Sequence, residues 1–244
     1  MTAEWSLRET DLQAMAFPAA LPGLEAADLE TAAAGSADTG ALNTVNLHLD
    51  NVVPALESLR AQSGRLAAWG VELAQRLLRG QRLLAAGNGG SAAEAQHLTA
   101  ELVGRFDGER VPFSAISLHA ETSALTALAN DYGYEEVFAR QVRAHGRSGD
   151  VLLLLSTSGR SPNLLRAVEA ATRLGVTTWA LTGPGPNPLA GACAEAVTID
   201  AFNANAQEGH LIALHAICRA FDLEVHRRGS GTLNGTTSTE WGAP

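Results

Sequence analysis

The sequence predicts an α/β fold, a doubly wound parallel sheet with helices on both faces. Three observations carry this expectation. Four short apolar runs, RLLAA, AISL, VLLLLS and TTWALTG, each end in a polar or glycine-rich turn. Most of these turns lead into a stretch of helical periodicity. The runs are nearly continuous in Leu, Ala and Val rather than alternating, as in strands buried on both faces.

The elements follow in order. Residues 1 to about 41 are rich in Ala, Glu, Asp and Gly, with weak periodicity, and are expected to form an acidic, mobile arm. From Leu42 to Gly80, apolar residues recur at helical spacing (Leu49, Val52, Leu56, Leu59, then Leu66, Trp69, Leu73, Leu77). That spacing predicts two helices broken near Pro54 or Ser63. The strand–turn–helix units fill the next hundred residues, AVTI is a candidate fifth strand, and a closing helix runs from about Asn205 to Arg227. The Gly/Ser/Thr-rich end, 229–244, reads as a tail, so the folded domain is expected over 42–228.

Composition excludes several functions. The formal charge is −9, and the first 40 residues carry −6 of it, so the folded part is near neutral and gives no support to nucleic-acid binding. No apolar stretch approaches the roughly 20 residues that span a bilayer, and the acidic N-terminus has no signal-peptide core. A soluble, cytoplasmic protein is expected, with neither membrane nor nucleic acid as partner. All 17 basic residues are arginine. A lysine Schiff base, a pyridoxal phosphate anchor and a Walker-A lysine are therefore impossible. Cys193 and Cys218 match no zinc-finger or disulfide spacing and read as buried thiols.

The glycine turn after the first strand, Gly87-Asn88-Gly89-Gly90-Ser91, admits three readings. It can be a tight turn without a ligand. It also satisfies the dinucleotide pattern Gly87-x-Gly89-x-x-Ala92, but the acid that should end the next strand is missing. The reading we favour is a phosphomonoester site. One strand end supplies Asn88, Gly89 and Ser91, and another supplies Ser156, Thr157, Ser158 and Ser161. Each turn opens a helix whose free N–H groups and dipole favour a phosphate. A cradle of hydroxyls without lysine suits a sugar phosphate better than a nucleoside triphosphate. On the helix that Ser91 opens, His97 and Glu101 lie four apart and share one face, close enough for a common metal or proton, or for a solvated ion pair.

GNGGSAAEAQH, AELVGRF, ALTALANDYGYEEVFARQV, DVLLLLSTSGRSPNLLRAVEAA and QEGHLIALH together resemble the sugar isomerase (SIS) fold, and more narrowly the phosphoheptose isomerase family. The resemblance covers about residues 42 to 226. It implies a Zn2+ ion held by His97, Glu101, Gln207 and His215. Gln207 and His215 are eight apart, about 12 Å along a helix, so spacing alone nominates His210, three from Gln207, as the rival ligand. Arg105 resembles an active-site arginine, its alternative being a surface salt bridge. Asn130 and Asp131 resemble sugar-contacting residues, with helix capping as the alternative for Asp131. Glu94 and Glu208 are acids nearby with no assigned role.

The resemblance implies conversion of sedoheptulose 7-phosphate to D-glycero-D-manno-heptose 7-phosphate through an enediol. Glu101 is the expected base and His215 the expected acid, with the Ser/Thr cradle and Gln207 binding substrate. It also implies a homotetramer with active sites between subunits, packed through the helices of Leu42 to Gly80 and the last helix. One departure stands out: where the family often reads T-A-R-I-Q-E, this chain reads Asn203-Ala204-Asn205-Ala206-Gln207-Glu208. The loss of that charge opens the choice of ketose phosphate and the C2 configuration of the product, including the altro epimer. A non-catalytic SIS adaptor is a further alternative, against which the His97–Glu101 pair argues. A sugar-phosphate-sensing regulator is another, but its usual basic DNA-binding segment is the opposite of this acidic N-terminus.

Overall fold

The computed structural model describes residues 26–201 and 203–230. The chain falls into two units, with the boundary between Leu47 and His48. Of the first unit, residues from Ala26 onward are described, and they are helical. Helix α1 (Ala26–Asp50) carries the boundary. The expectation of an acidic arm thus falls on residues 1–25, outside the described residues, and on the start of this helix. Residues 231–244 of the expected tail are also outside them.

The second unit holds the remaining elements. Helices α2 (Val52–Ala61) and α3 (Ser63–Leu77) come first, so the region holds three helical segments rather than two, broken at Asn51 and Gln62. Pro54 does not break a helix. It is the third residue of α2, where its missing N–H would have no partner within the helix. Then follow β1 (Leu83–Gly87), α4 (Gly90–Val103), β2 (Ala115–Ser117), α5 (Thr122–Tyr132), a 3₁₀ turn (Tyr134–Glu136) and α6 (Val137–His145). They are succeeded by β3 (Val151–Ser156), α7 (Pro162–Arg173), β4 (Thr177–Thr182), the short α8 (Pro188–Ala192), β5 (Glu195–Thr198) and the long α9 (Asn203–Ser230).

The five strands form one parallel sheet in the order β2-β1-β3-β4-β5. Successive side chains leave a strand on opposite faces, and this sheet has a core on each. Leu83, Ala85, Leu153, Leu155, Trp179 and Leu181 meet α3, α4 and α9 through Trp69, Leu73, Leu98, Leu102, Leu214 and Phe221. Leu84, Ala86, Leu152, Leu154 and Ala180 meet α6 and α7 through Phe138, Val142, Leu164 and Val168. β1 and β3 are buried at every position, which explains why their sequences show no alternation. Trp69 stacks flat on Trp179, with ring centroids 4.8 Å apart. None of the described helices is long and apolar enough to cross a membrane.

Candidate active site

β1 is followed by a connection to the edge strand β2, and β3 by one toward β4 on the other side. The two chain directions part between β1 and β3, which is where ligands bind in open α/β sheets. The turns 87–91 and 156–161 both sit there.

Asn88 ties the two turns together. Its amide forms a reciprocal pair with Asn163 on the first turn of α7. Asn88 Nδ2 donates to Asn163 Oδ1 at 3.0 Å, and Asn163 Nδ2 donates to Asn88 Oδ1 at 2.9 Å. Tyr134 Oη also donates to Asn88 Oδ1, at 3.1 Å. One amide hydrogen of Asn88 is left over for a ligand. In the second turn Ser156 Oγ accepts the Gly159 N–H at 3.0 Å, and Ser158 Oγ accepts the Arg160 N–H at 3.3 Å. Gly159 has φ +61°, and a Cβ there would come within 2.0 Å of Asn187 Oδ1. The Ser161 side chain precedes α7 without capping it; Pro162 has no N–H and the Leu164 and Leu165 N–H groups bond the Ser161 carbonyl, which leaves the Ser161 hydroxyl and the Asn163 N–H to face an anion. A cleft of about 320 Å³ opens beside this turn, lined by Thr157, Ser158, Arg160, Asn187 and Asn203 among others.

Helices α4 and α9 run side by side in the same direction, and their contacts form rungs. At the top Gln207 lies over Gly90, so closely that a Cβ on Gly90 would approach Gln207 Nε2 to 2.3 Å. The next rung pairs Glu94 with His210, Oε2 to Nδ1 at 3.6 Å. Then come His97 and His215, whose Nε2 atoms are 3.0 Å apart. His97 Nε2 is also 3.1 Å from Glu101 Oε1. One donor atom each from His97, Glu101 and His215 lies within 4.8 Å of the other two. Two imidazole nitrogens and one carboxylate are a donor set that suits zinc. Phe106 packs on the His215 ring, centroids 5.4 Å apart.

His210 is not part of this cluster. It is wholly buried one rung away, and neither ring nitrogen has a hydrogen-bond partner. Of the two candidate histidines, the fold brings His215 to His97 and Glu101. Gln207 sits beside Gly90 in the glycine turn, seven residues and two helical turns before His97 on the α4 side. Ser91 is buried, at the first turn of α4.

Arg105, Asn130 and Asp131 are exposed, and no hydrogen bond joins them to the other site residues among the described residues. Arg105 makes no salt bridge among the described residues. Asp131 accepts from Asn130 Nδ2 at 2.8 Å near the end of α5 and caps no helix. Glu208 accepts from Asn205 Nδ2 at 2.9 Å and meets His48 Nε2 at 2.7 Å, so its role is to tie the start of α9 to the end of α1. Asn205 is occupied there too, donating to the His48 carbonyl.

Sequence reasoning missed Asn163 and Tyr134. The Asn directly after Ser161-Pro162 was the available signal for the first. It also missed Arg110, which nothing in its neighbourhood marked. Cys218, between His215 and Asp222 on α9, has its thiol pushed up to about 12 by burial and by the negative charges of Glu101 and Asp222. Burial likewise raises Cys193 to about 11, against a smaller opposing hydrogen bond from Thr178. Neither is a nucleophile at neutral pH.

Known proteins place this architecture. A model of the SIS domain matches residues 48–183. The phosphoheptose isomerase of Streptomyces coelicolor is 59% identical over 185 residues, covering 75% of this chain and 80% of the relative. That of Bradyrhizobium sp. is 46% identical over 169 residues, covering 69% and 84%. Among solved structures, the phosphoheptose isomerase of Neisseria gonorrhoeae superposes with a TM-score of 0.69 at 37% identity, covering 75% of this chain and 99% of that one. The enzyme of Francisella tularensis does so with a TM-score of 0.71 at 33% identity, covering 75% and 98%. A parallel five-stranded sheet, a serine cradle at its switch point and these similarities lead to one conclusion: the chain belongs to the phosphoheptose isomerases of the SIS-domain family and is a sugar-phosphate isomerase.

Proposed function

We propose that the enzyme converts sedoheptulose 7-phosphate to D-glycero-D-manno-heptose 7-phosphate with the help of a zinc ion. The observation that carries this reading is the His97–Glu101–His215 cluster on the helix pair that begins at the phosphate turn. His97, Glu101 and His215 would hold the ion; the fourth ligand implied by the family resemblance, Gln207, lies beside Gly90 two helical turns away and would have to turn toward them. When bound, zinc polarises the carbonyl and hydroxyl oxygens of the sugar.

The protein's own groups do the rest. The hydroxyls of Ser156, Thr157, Ser158 and Ser161, and the Asn163 N–H at the start of α7, bind the phosphate and fix the register of the sugar chain. Ser91 and Asn88 hold the same end from the β1 side. Glu101 takes a proton from C1 of the ketose, beside the carbonyl. The resulting enediolate receives a proton at C2 from His215 while the O1 hydroxyl proton passes to O2, leaving the aldehyde at C1. Among the described residues the one ion pair of the Glu101 carboxylate is with His97 Nε2, so Glu101 can turn toward a substrate carbon. Arg105, Asn130 and Asp131 are assigned to the sugar hydroxyls.

The exposed apolar residues Leu42, Val45 and Leu49 of α1, and Val53 and Leu56 of α2, support a homotetramer packed through these helices. Sites shared between subunits, a cytoplasmic location and a dispensable N-terminal arm complete the proposal. A second reading, the C2-epimeric altro product or a different ketose phosphate, draws support from Asn205, a neutral residue where relatives often carry arginine.

The test is NMR of sedoheptulose 7-phosphate incubated with zinc-loaded enzyme, with Glu101→Gln as control. A new aldose anomeric signal, absent from the control, is expected, and its coupling reports the C2 configuration. Zinc binding without turnover would shift the assignment to another sugar phosphate.

A further inference from the structure

The lowest rung of the helix pair is Arg110, in the loop between α4 and β2. Its side chain is 2% exposed. Nε donates to Asp222 Oδ1 at 2.7 Å. Nη2 donates to the Glu101 carbonyl, and Nη1 is shared among the carbonyls of Leu102, Gly104 and Val111 at 3.1–3.2 Å. The guanidinium lies 5.4 Å from the centroids of both the Phe113 and Phe221 rings. Phe113 and Phe221 meet edge to face, so the arginine is enclosed by apolar rings.

Each contact has a consequence for the cluster above. The last carbonyls of a helix have no partner within it and need an external donor. At the end of α4 the Phe113 N–H serves the Leu102 carbonyl and Arg110 is the side-chain donor, and one of the carbonyls it holds belongs to Glu101 itself. Asp222 is seven residues beyond His215, two turns along the same face of α9. One planar, always charged group therefore binds the backbone that presents Glu101 and the helix that presents His215. A lysine could not satisfy this fork of acceptors.

We propose that Arg110 is a positioning residue: by bonding the end of α4 to Asp222 on α9, it sets the spacing at which His97 and Glu101 face His215. The proposal rests on these three residues holding a metal.

The test is a Co2+ titration of the metal-free enzyme, reading affinity by chelator competition, the visible d–d spectrum and the melting temperature. Arg110→Met is compared with wild type and with Asp150→Asn. Asp150 is a buried carboxylate just before the central strand β3, bonded to the N–H groups of Arg82 and Arg147 and to neither α4 nor α9. Arg110→Met is expected to weaken Co2+ binding about 10- to 100-fold and to change the spectrum. Asp150→Asn is expected to lower the melting temperature with affinity and spectrum unchanged. Wild-type affinity and spectrum in Arg110→Met would overturn the proposal, as would an equal loss of affinity in Asp150→Asn. If Arg110→Met does not fold, Asp222→Asn is measured instead, with weaker binding and an altered spectrum expected; wild-type values there would overturn the proposal. A wild-type enzyme that binds no Co2+ would overturn the metal reading itself, and this inference with it.

Discussion

His210 and His215 are five residues apart on α9 and meet opposite surroundings. His215 faces a second imidazole and a carboxylate, whereas His210 is sealed against Glu94 with no hydrogen bond to either nitrogen. His215→Ala is expected to weaken zinc binding at least ~10-fold, while His210→Ala keeps the wild-type affinity within a small factor. Chelator competition separates the two, and the reverse ranking would make His210 the ligand. The cysteines give a second prediction at this scale. With thiols raised to about 11 and about 12, neither should react with a disulfide reagent within minutes at pH 8 in the folded protein. Both should react once guanidinium is added, and a fast-reacting thiol in the native protein would contradict the burial assigned to them.

At the scale of elements, the site is a product of two turns and one helix pair. Gly159 holds φ +61°, against the Asn187 side chain. A side chain at positive φ costs about 1–2 kcal/mol, and here it also displaces Asn187. Gly159→Ala is expected to raise KM for the sugar phosphate more than it lowers kcat, because the turn it distorts is the one proposed to bind the phosphate and not the reacting carbons. Steady-state kinetics would show this; an unchanged KM would remove the turn from the binding site. The helix pair was partly legible in the sequence. The i,i+4 spacing of His97 and Glu101 gave their common face, and the glycine turn gave the start of α4. The partner of that face was not legible from spacing, because the parallel alignment of α4 with α9 depends on both packing against the same face of the sheet. For the same reason His210 stood as a rival until the rungs were seen.

At the scale of the molecule, the apolar runs and their connecting helices were enough to predict a doubly wound sheet. They could not give the strand order, which places β1 beside β3 and so joins the GNGGS and STSGRS turns into one site. Asn88 and Asn163, 75 residues apart, meet only because of that order. A chain starting at Leu42 is expected to keep both activity and oligomeric state, measured by the isomerase assay and by size-exclusion chromatography with light scattering. Loss of either would give the N-terminal segment a role. The end of α9 makes a pH prediction. Hydrogen bonds from Arg227 and Arg228 hold the Glu224 carboxyl at about 2, well below its ordinary value near 4.5. A carboxylate lowered in the folded state stabilises fully above the unfolded value, and that contribution is lost as pH falls toward the folded one. Acid unfolding of Glu224→Gln should therefore show a weaker dependence on pH between about 4.5 and 2 than the wild type.

By itself, the sequence determined the fold class, the two glycine- and serine-rich turns at strand ends and the face shared by His97 and Glu101. These are local properties: apolar runs, glycine and serine at helix starts, and a spacing of four. The family resemblance named His215, and the tertiary structure brings it rather than His210 to His97 and Glu101; the tertiary structure alone decided that Asn88 is paired with Asn163 and that Arg110 joins α4 to Asp222. Each of those pairings brings together residues 75 to 118 positions apart. No short-range pattern encodes them, because they exist only once both helices have buried their apolar faces against the sheet.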